Sequence, residues 1–187
     1  MGTYRLCTVN IYRLFSTKER IDILKYIIYL EREFGVIETA KKLKISKGLV
    51  SKYFRILIDE KIIKRKGTKF LVTNHSLVKG IRIMFNLQNI EPKLFKKYNF
   101  VKAAGLYGSC SKGSNTVNSD VDLWIMIDKA SDEELSHFTS DLRKQNENLK
   151  ILLLNKEKID HIKKKDPLFY YSLYFGSIII YGAEDEI

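Results

Sequence analysis

The sequence predicts two domains: a mainly α module over residues 1–90 and an α/β (α+β) module over residues 91–187 built on a small mixed sheet. Three observations carry this reading. Charge divides unevenly, with 22 Lys/Arg against 8 Asp/Glu in residues 1–98, a net of +14, and 11 against 14 in residues 99–187, a net of −3. Apolar residues recur at helical spacing up to about residue 60 and then follow a hairpin pattern. Beyond residue 100, two apolar runs, Val101–Tyr107 and Val121–Ile127, flank a small polar loop, the pattern of strand, loop and strand.

A basic half joined to a mildly acidic half suggests two jobs, one of them with a polyanion. Apolar residues make up 45% of the 187 positions, enough for real cores. The two cysteines, Cys7 and Cys110, form neither a disulfide framework nor a zinc pattern, and favour a reducing, cytoplasmic setting. Cys110 reads as a small loop filler rather than a nucleophile. The N-terminus lacks the apolar core of a signal peptide. No run approaches the ~20 apolar residues of a membrane span.

In the first half, Tyr4 to Phe15 alternates imperfectly and is expected to be a strand or a fixed arm. Ser16-Thr17-Lys18-Glu19 fits a capping box. Ile21, Leu24, Ile27, Ile28 and Leu30 then recur at helical spacing, so a helix is expected from Thr17 to Glu33, stopped by Gly35. A short helix, Ile37 to Leu43, carries Ala40 on its inner face, and Lys44-Ile45 makes a turn. Ser46 caps a third helix, Lys47 to Glu60, with Leu49 or Val50, Tyr53 or Phe54, Leu57 and Ile58 inside. Lys61 to Thr73 reads as a β-hairpin around Lys66-Gly67-Thr68. A fourth helix, Leu77 to Leu87, precedes Asn89-Ile90-Glu91-Pro92, and the domain boundary is expected between Asn86 and Pro92.

In the second half, Val101 to Tyr107 and the run entered through Asp120-Val121-Asp122 are the first two strands. Ser131-Asp132-Glu133-Glu134 is a capping box opening a helix to Asn146. Leu149 to Leu154 is a buried strand, and Asn155 to Lys165 a charged helix. Pro167 sits at the first position of a helix running to Phe175, which Gly176 ends. Ile178 to Tyr181 is a last short strand.

Asp120 and Asp122 are spaced i, i+2, so on a strand they face the same way, with Cα atoms roughly 6.6 Å apart. Two carboxylates on one face can clamp divalent ions, which lie about 3.5–4 Å apart in two-metal sites. Gly108-Ser109 supplies backbone N–H groups and a hydroxyl suited to phosphate. This Gly-Ser, loop and Asp-x-Asp pattern resembles the nucleotidyltransferase superfamily of polymerase-β type, and Gly108, Ser109, Asp120 and Asp122 match its signature residue for residue. The resemblance runs from about Lys93 to the C-terminus, and Asp166 to Gly182 looks like the last helix and strand of small prokaryotic members.

The resemblance implies a nucleotidyltransferase fold that moves a nucleoside monophosphate from a nucleoside triphosphate, ATP first among them, to a hydroxyl acceptor, with Mg²⁺ or Mn²⁺ on Asp120 and Asp122. Gly108 and Ser109 would hold phosphates, with Ser111, Lys112 and Ser114 on the same loop. Active members usually carry a third carboxylate on the strand after the long helix. That strand, Leu149 to Leu154, contains no acid, Lys150 stands near the expected place, and Glu147 and Glu157 flank it.

Helix, helix, turn, helix and hairpin over Thr17 to Thr73 is similar to a winged helix-turn-helix module. That resemblance implies duplex-DNA binding and a candidate homodimer. Lys47, Ser51, Lys52 and Arg55 lie on the polar side of the third helix, and Lys64, Arg65, Lys66 and Lys69 decorate the hairpin. The lysines would grip phosphates, and Ser51 and Arg55 could reach base edges. Two functions are therefore expected: a DNA-binding nucleotidyltransferase, possessing a protein acceptor such as a toxin if of the antitoxin type, or a transcription regulator whose degenerate second domain senses nucleotide without catalysis.

Overall fold

The computed structural model describes residues 10–182. The Tyr4 to Val9 part of the expected arm, and Cys7, lie outside them. The chain divides into two compact units between Val78 and Lys79.

The first unit opens on helix α1 (Ile11–Phe15) where a strand or arm was expected. Asn10 caps it by accepting from the Arg13 N–H at 3.2 Å, and the Tyr53 hydroxyl donates to the Leu14 carbonyl at 2.9 Å. Thr17, not Ser16, caps α2 (Lys18–Ile27), its Oγ1 accepting from the Arg20 N–H. Ser16 instead accepts from the Arg20 guanidinium. The helix ends six residues earlier than its apolar spacing suggests, because Phe34 is drawn out to exchange two backbone hydrogen bonds with Phe70. Its ring packs edge-on to Phe54 at 5.6 Å, so tertiary contact overrides local periodicity. Gly35 therefore caps the next helix, α3 (Val36–Leu43), rather than stopping α2.

Ser46 caps α4 (Lys47–Asp59) as expected, accepting from the Leu49 N–H. Val50, Tyr53, Phe54 and Leu57 are buried at helical spacing, while Ile58 points to solvent. The hairpin pairs β1 (Ile63–Lys66) with β2 (Lys69–Val72) around Gly67-Thr68.

Helix α5 (Ser76–Gln88) contains the division between units, and α6 (Lys93–Lys96) follows it. The sequence places the boundary between Asn86 and Pro92, at the far end of α5. Most of α5 belongs with the second unit because Asn86 is buried there: its amide donates to the Cys110 carbonyl and exchanges hydrogen bonds with the Asn115 amide.

The second unit runs β3 (Val101–Tyr107), α7 (Gly108–Lys112), β4 (Val121–Ile127), α8 (Asp132–Gln145), β5 (Leu149–Leu154), α9 (Lys156–Lys165), α10 (Pro167–Gly176) and β6 (Ile178–Tyr181). The strand order is β5-β4-β3-β6. Only β4 and β5 are parallel, which makes the sheet mixed. Alternation along β4 sends Leu123 and Ile125 to a core with Phe95 and Phe138, and Trp124 and Met126 to a second core with Leu173. The Ser131–Glu134 capping box forms in both directions. No helix among the described residues is long and apolar enough to cross a membrane.

Replacing Asn86 by Leu leaves the Cys110 carbonyl and the Asn115 amide without their partner. The expected loss is about 1–3 kcal/mol of stability in denaturant unfolding, against under ~0.5 kcal/mol for the exposed control Asn118→Ala. Equal midpoints for the two variants contradict the network's role.

Candidate functional site

The second unit's site forms where β3 and β4 end side by side. Tyr107 and Asp122 are register partners, and the chain leaves β3 through Gly108 with φ +69°. That angle suits glycine, and a Cβ there would lie 2.5 Å from Asp122 Oδ2. The Asp122 carboxylate is thus held directly against the backbone that begins α7. Ser109, half-buried, follows at once. What read as a loop is a short helix ending at Gly113, also left-handed (φ +63°), where a Cβ would strike the Lys79 carbonyl.

Asp120 stands one residue before β4 and is tied to α7 from behind, the Cys110 thiol lying 3.5 Å from its carbonyl. Burial pushes the Cys110 thiol up to about 11, which agrees with a filler and not a nucleophile. On the other side of β4, Lys150 of β5 is the register partner of Asp122. Its ammonium lies 2.5 Å from Asp120 Oδ2, with both side chains substantially exposed (66% and 45%). Burial raises the Asp122 carboxyl above the usual carboxylate range, opposed by Lys150 and reinforced by Asp120. The hydrogen bond to Asp120 raises Lys150 further, so the ammonium stays charged. Burial, and then the Asp122 charge, raises Tyr107.

Gly108, Ser109, Asp120 and Asp122 therefore come together, and Lys112 is exposed at the end of α7. Ser111 does not face the same way. It is buried, its hydroxyl 2.7 Å from the Gly176 carbonyl and 3.1 Å from that of Gly108, so it tethers α10 to α7 and has no free hydroxyl for phosphate. Glu147 lines a groove with Ser136, Ser140 and Arg143. Among the described residues no three His, Cys, Asp or Glu side chains gather to hold a metal. The hard oxygens of Asp120 and Asp122 suit one Mg²⁺ or Mn²⁺ ion.

Two features escaped the sequence reading. Tyr107 borders the carboxylates, and its signal was only that it precedes Gly108. Helix α10 exposes Leu168, Tyr171, Tyr174 and Phe175, with the Tyr171 and Phe175 rings stacked at 6.0 Å. The sequence Leu168-Phe169-Tyr170-Tyr171-Ser172-Leu173-Tyr174-Phe175 carried more aromatics than one buried face can take.

In the first unit, Ser51, Arg55, Arg65 and Thr68 line a groove of about 340 Å³ between α4 and the hairpin. Lys47, Lys52, Lys64 and Lys69 are exposed. Lys66 is exposed but paired with Glu33 at 2.7 Å, and the Arg65 Nε donates to the Gly67 carbonyl.

Comparison with solved structures finds weak likenesses. A mutant of the MntA–HpeT toxin–antitoxin is 13% identical, over 50% of this chain and 72% of that one, with a TM-score of 0.38. A tri-AMPylated HEPN toxin in complex with MNT antitoxin from Shewanella oneidensis is 13% identical, over 56% and 76%, with a TM-score of 0.36. A toxin–antitoxin with AMP-PNP is 15% identical, over 58% and 75%, at 0.34. A search of curated proteins finds no match. A family model is decisive where these are not: polymerase beta, nucleotidyltransferase, matches residues 88–186, and the chain belongs to that family.

Proposed function

We propose that this chain is a Mg²⁺- or Mn²⁺-dependent nucleotidyltransferase carrying a winged helix-turn-helix domain that binds duplex DNA. The observation that carries the reading is the Asp122 carboxylate held under Gly108, with Ser109 and Asp120 beside it. Nucleotidyl transfer needs a phosphate cradle and hard anionic ligands within one small volume. The Ser109 hydroxyl and the backbone N–H groups at Gly108 and Ser109 would hold the β- and γ-phosphates, with Lys112 adding charge from the rim. Asp120 and Asp122 would hold one divalent ion, whose chemistry is to neutralise the triphosphate. Lys150 must turn off Asp120 for that ion to bind both carboxylates. The acceptor hydroxyl oxygen would then bond to the α-phosphorus as the bond to pyrophosphate breaks, its proton passing to solvent.

ATP is the donor and a protein hydroxyl the acceptor in this proposal. The exposed aromatic row of α10 supports a protein partner, because contiguous exposed apolar surface marks interaction sites. Ser111 fastens that helix to α7, so a partner seated on it would lie near the phosphate loop. Lys150 supports a second reading, a regulator whose second domain binds nucleotide without turnover.

The deciding experiment is incubation with α-labelled ATP, Mg²⁺ or Mn²⁺, and extract from the source cells. Label transferred to a macromolecule by the wild type, and not by Asp122→Asn, is expected. No transfer, with calorimetric ATP·Mg²⁺ binding retained in the wild type, favours the sensor. ATP·Mg²⁺ affinity equal in wild type and Asp122→Asn removes the carboxylate site altogether.

The DNA proposal rests on the +14 charge of residues 1–98 and the groove holding Ser51, Arg55 and Arg65. Duplex affinity should fall steeply with salt, and each of Lys52→Ala and Lys69→Ala should lower the log–log slope by about 0.9. Arg55→Ala should also change sequence preference. Affinity that ignores salt counts against a nucleic-acid role.

A further inference from the structure

We infer that Lys150 is a resident cation of the carboxylate site, holding the place of a second divalent ion, so that the site takes one metal ion with its triphosphate rather than two. The inference deepens the nucleotidyltransferase reading for its nucleotide arm. Its metal arm stands on geometry alone.

Three observations converge. The parallel pairing of β4 with β5 puts Lys150 directly across from Asp122, on the flank of β4 opposite Tyr107. The ammonium contacts Asp120 Oδ2 and not a distant group. Among the described residues no third metal-capable side chain joins Asp120 and Asp122. A two-ion site must offset four positive charges at about 3.5–4 Å separation, and here two carboxylates already face one positive charge. A first dication can share Asp122 and Asp120 after Lys150 shifts by a rotamer. The lysine stem is anchored on β5, so its ammonium still faces the place a second dication would take. Two cations cannot occupy that place without strong repulsion.

The alternative is that Lys150 is an ordinary exposed ion pair that swings into solvent. Counting bound Mn²⁺ separates the two. The full chain is titrated with Mn²⁺, free ion being followed by electron paramagnetic resonance, first alone and then with a non-hydrolysable ATP analogue. In the metal-alone arm, Lys150→Met should bind Mn²⁺ about tenfold more tightly than the wild type, because the competing charge is gone. In the nucleotide arm, the wild type should hold one Mn²⁺ per chain in the ternary complex, and Lys150→Asp two. Lys150 is 66% exposed, and retained circular dichroism of both variants checks that the sheet is unchanged.

Two Mn²⁺ per wild-type chain, or equal Mn²⁺ affinity in wild type and Lys150→Met, overturns the inference. Absence of analogue binding in every variant, with the tenfold Mn²⁺ gain present, overturns the nucleotidyltransferase reading while supporting the competition between ammonium and metal.

Discussion

The approach of the Asp122 carboxylate to the backbone at Gly108 organises the second unit's site. It requires a residue without a Cβ that also turns left-handed, and it requires Tyr107 and Asp122 to be register partners across β3 and β4. The alternation that sends Leu123 and Trp124 to opposite cores sets the face of β4 that Asp122 shares with Trp124. Everything nearby maintains that approach. Asn86 and Asn115 fix the chain after α7, Cys110 ties α7 to the Asp120 backbone, and Ser111 fastens α10. The carboxylates are positioned by rigid elements, while Ser109 and Lys112 are carried on one short turn of helix.

The two units separate two kinds of electrostatics. The first gathers exposed cations around α4 and the hairpin over a core of its own. The second sets Lys150 against the Asp120 and Asp122 pair. Charges a screening length of about 8–10 Å or more apart act on solutes largely independently.

Much of this was legible in local sequence. Ser46 and Ser131 announce their helices because a cap needs only the residue and the N–H groups that follow it. The Asp120–Asp122 spacing is visible in the sequence, although Asp120 stands one residue before β4 and not within it. What failed depended on partners far along the chain. The end of α2 is set by Phe34 joining Phe70, 36 positions later. The cap at Thr17 instead of Ser16 turns on where the Arg20 guanidinium goes. Ser111 looked like Ser109 in sequence, and only the carbonyl of Gly176 distinguishes a tether from a free hydroxyl. Lys150 was visible as a missing acid, but its hold on Asp120 comes from the register of a parallel pair, which no local pattern encodes.

The position of β5 at the edge of the sheet has an evolutionary meaning. Lys150 is exposed and projects from a strand with a neighbour on one side only, so replacing it disturbs little of the fold. Lysine and glutamate codons differ by a single base. A lineage carrying this domain can therefore change the sign of charge at its carboxylate pair by one nucleotide substitution, with the scaffold's stability nearly blind to the change and selection seeing only the chemistry.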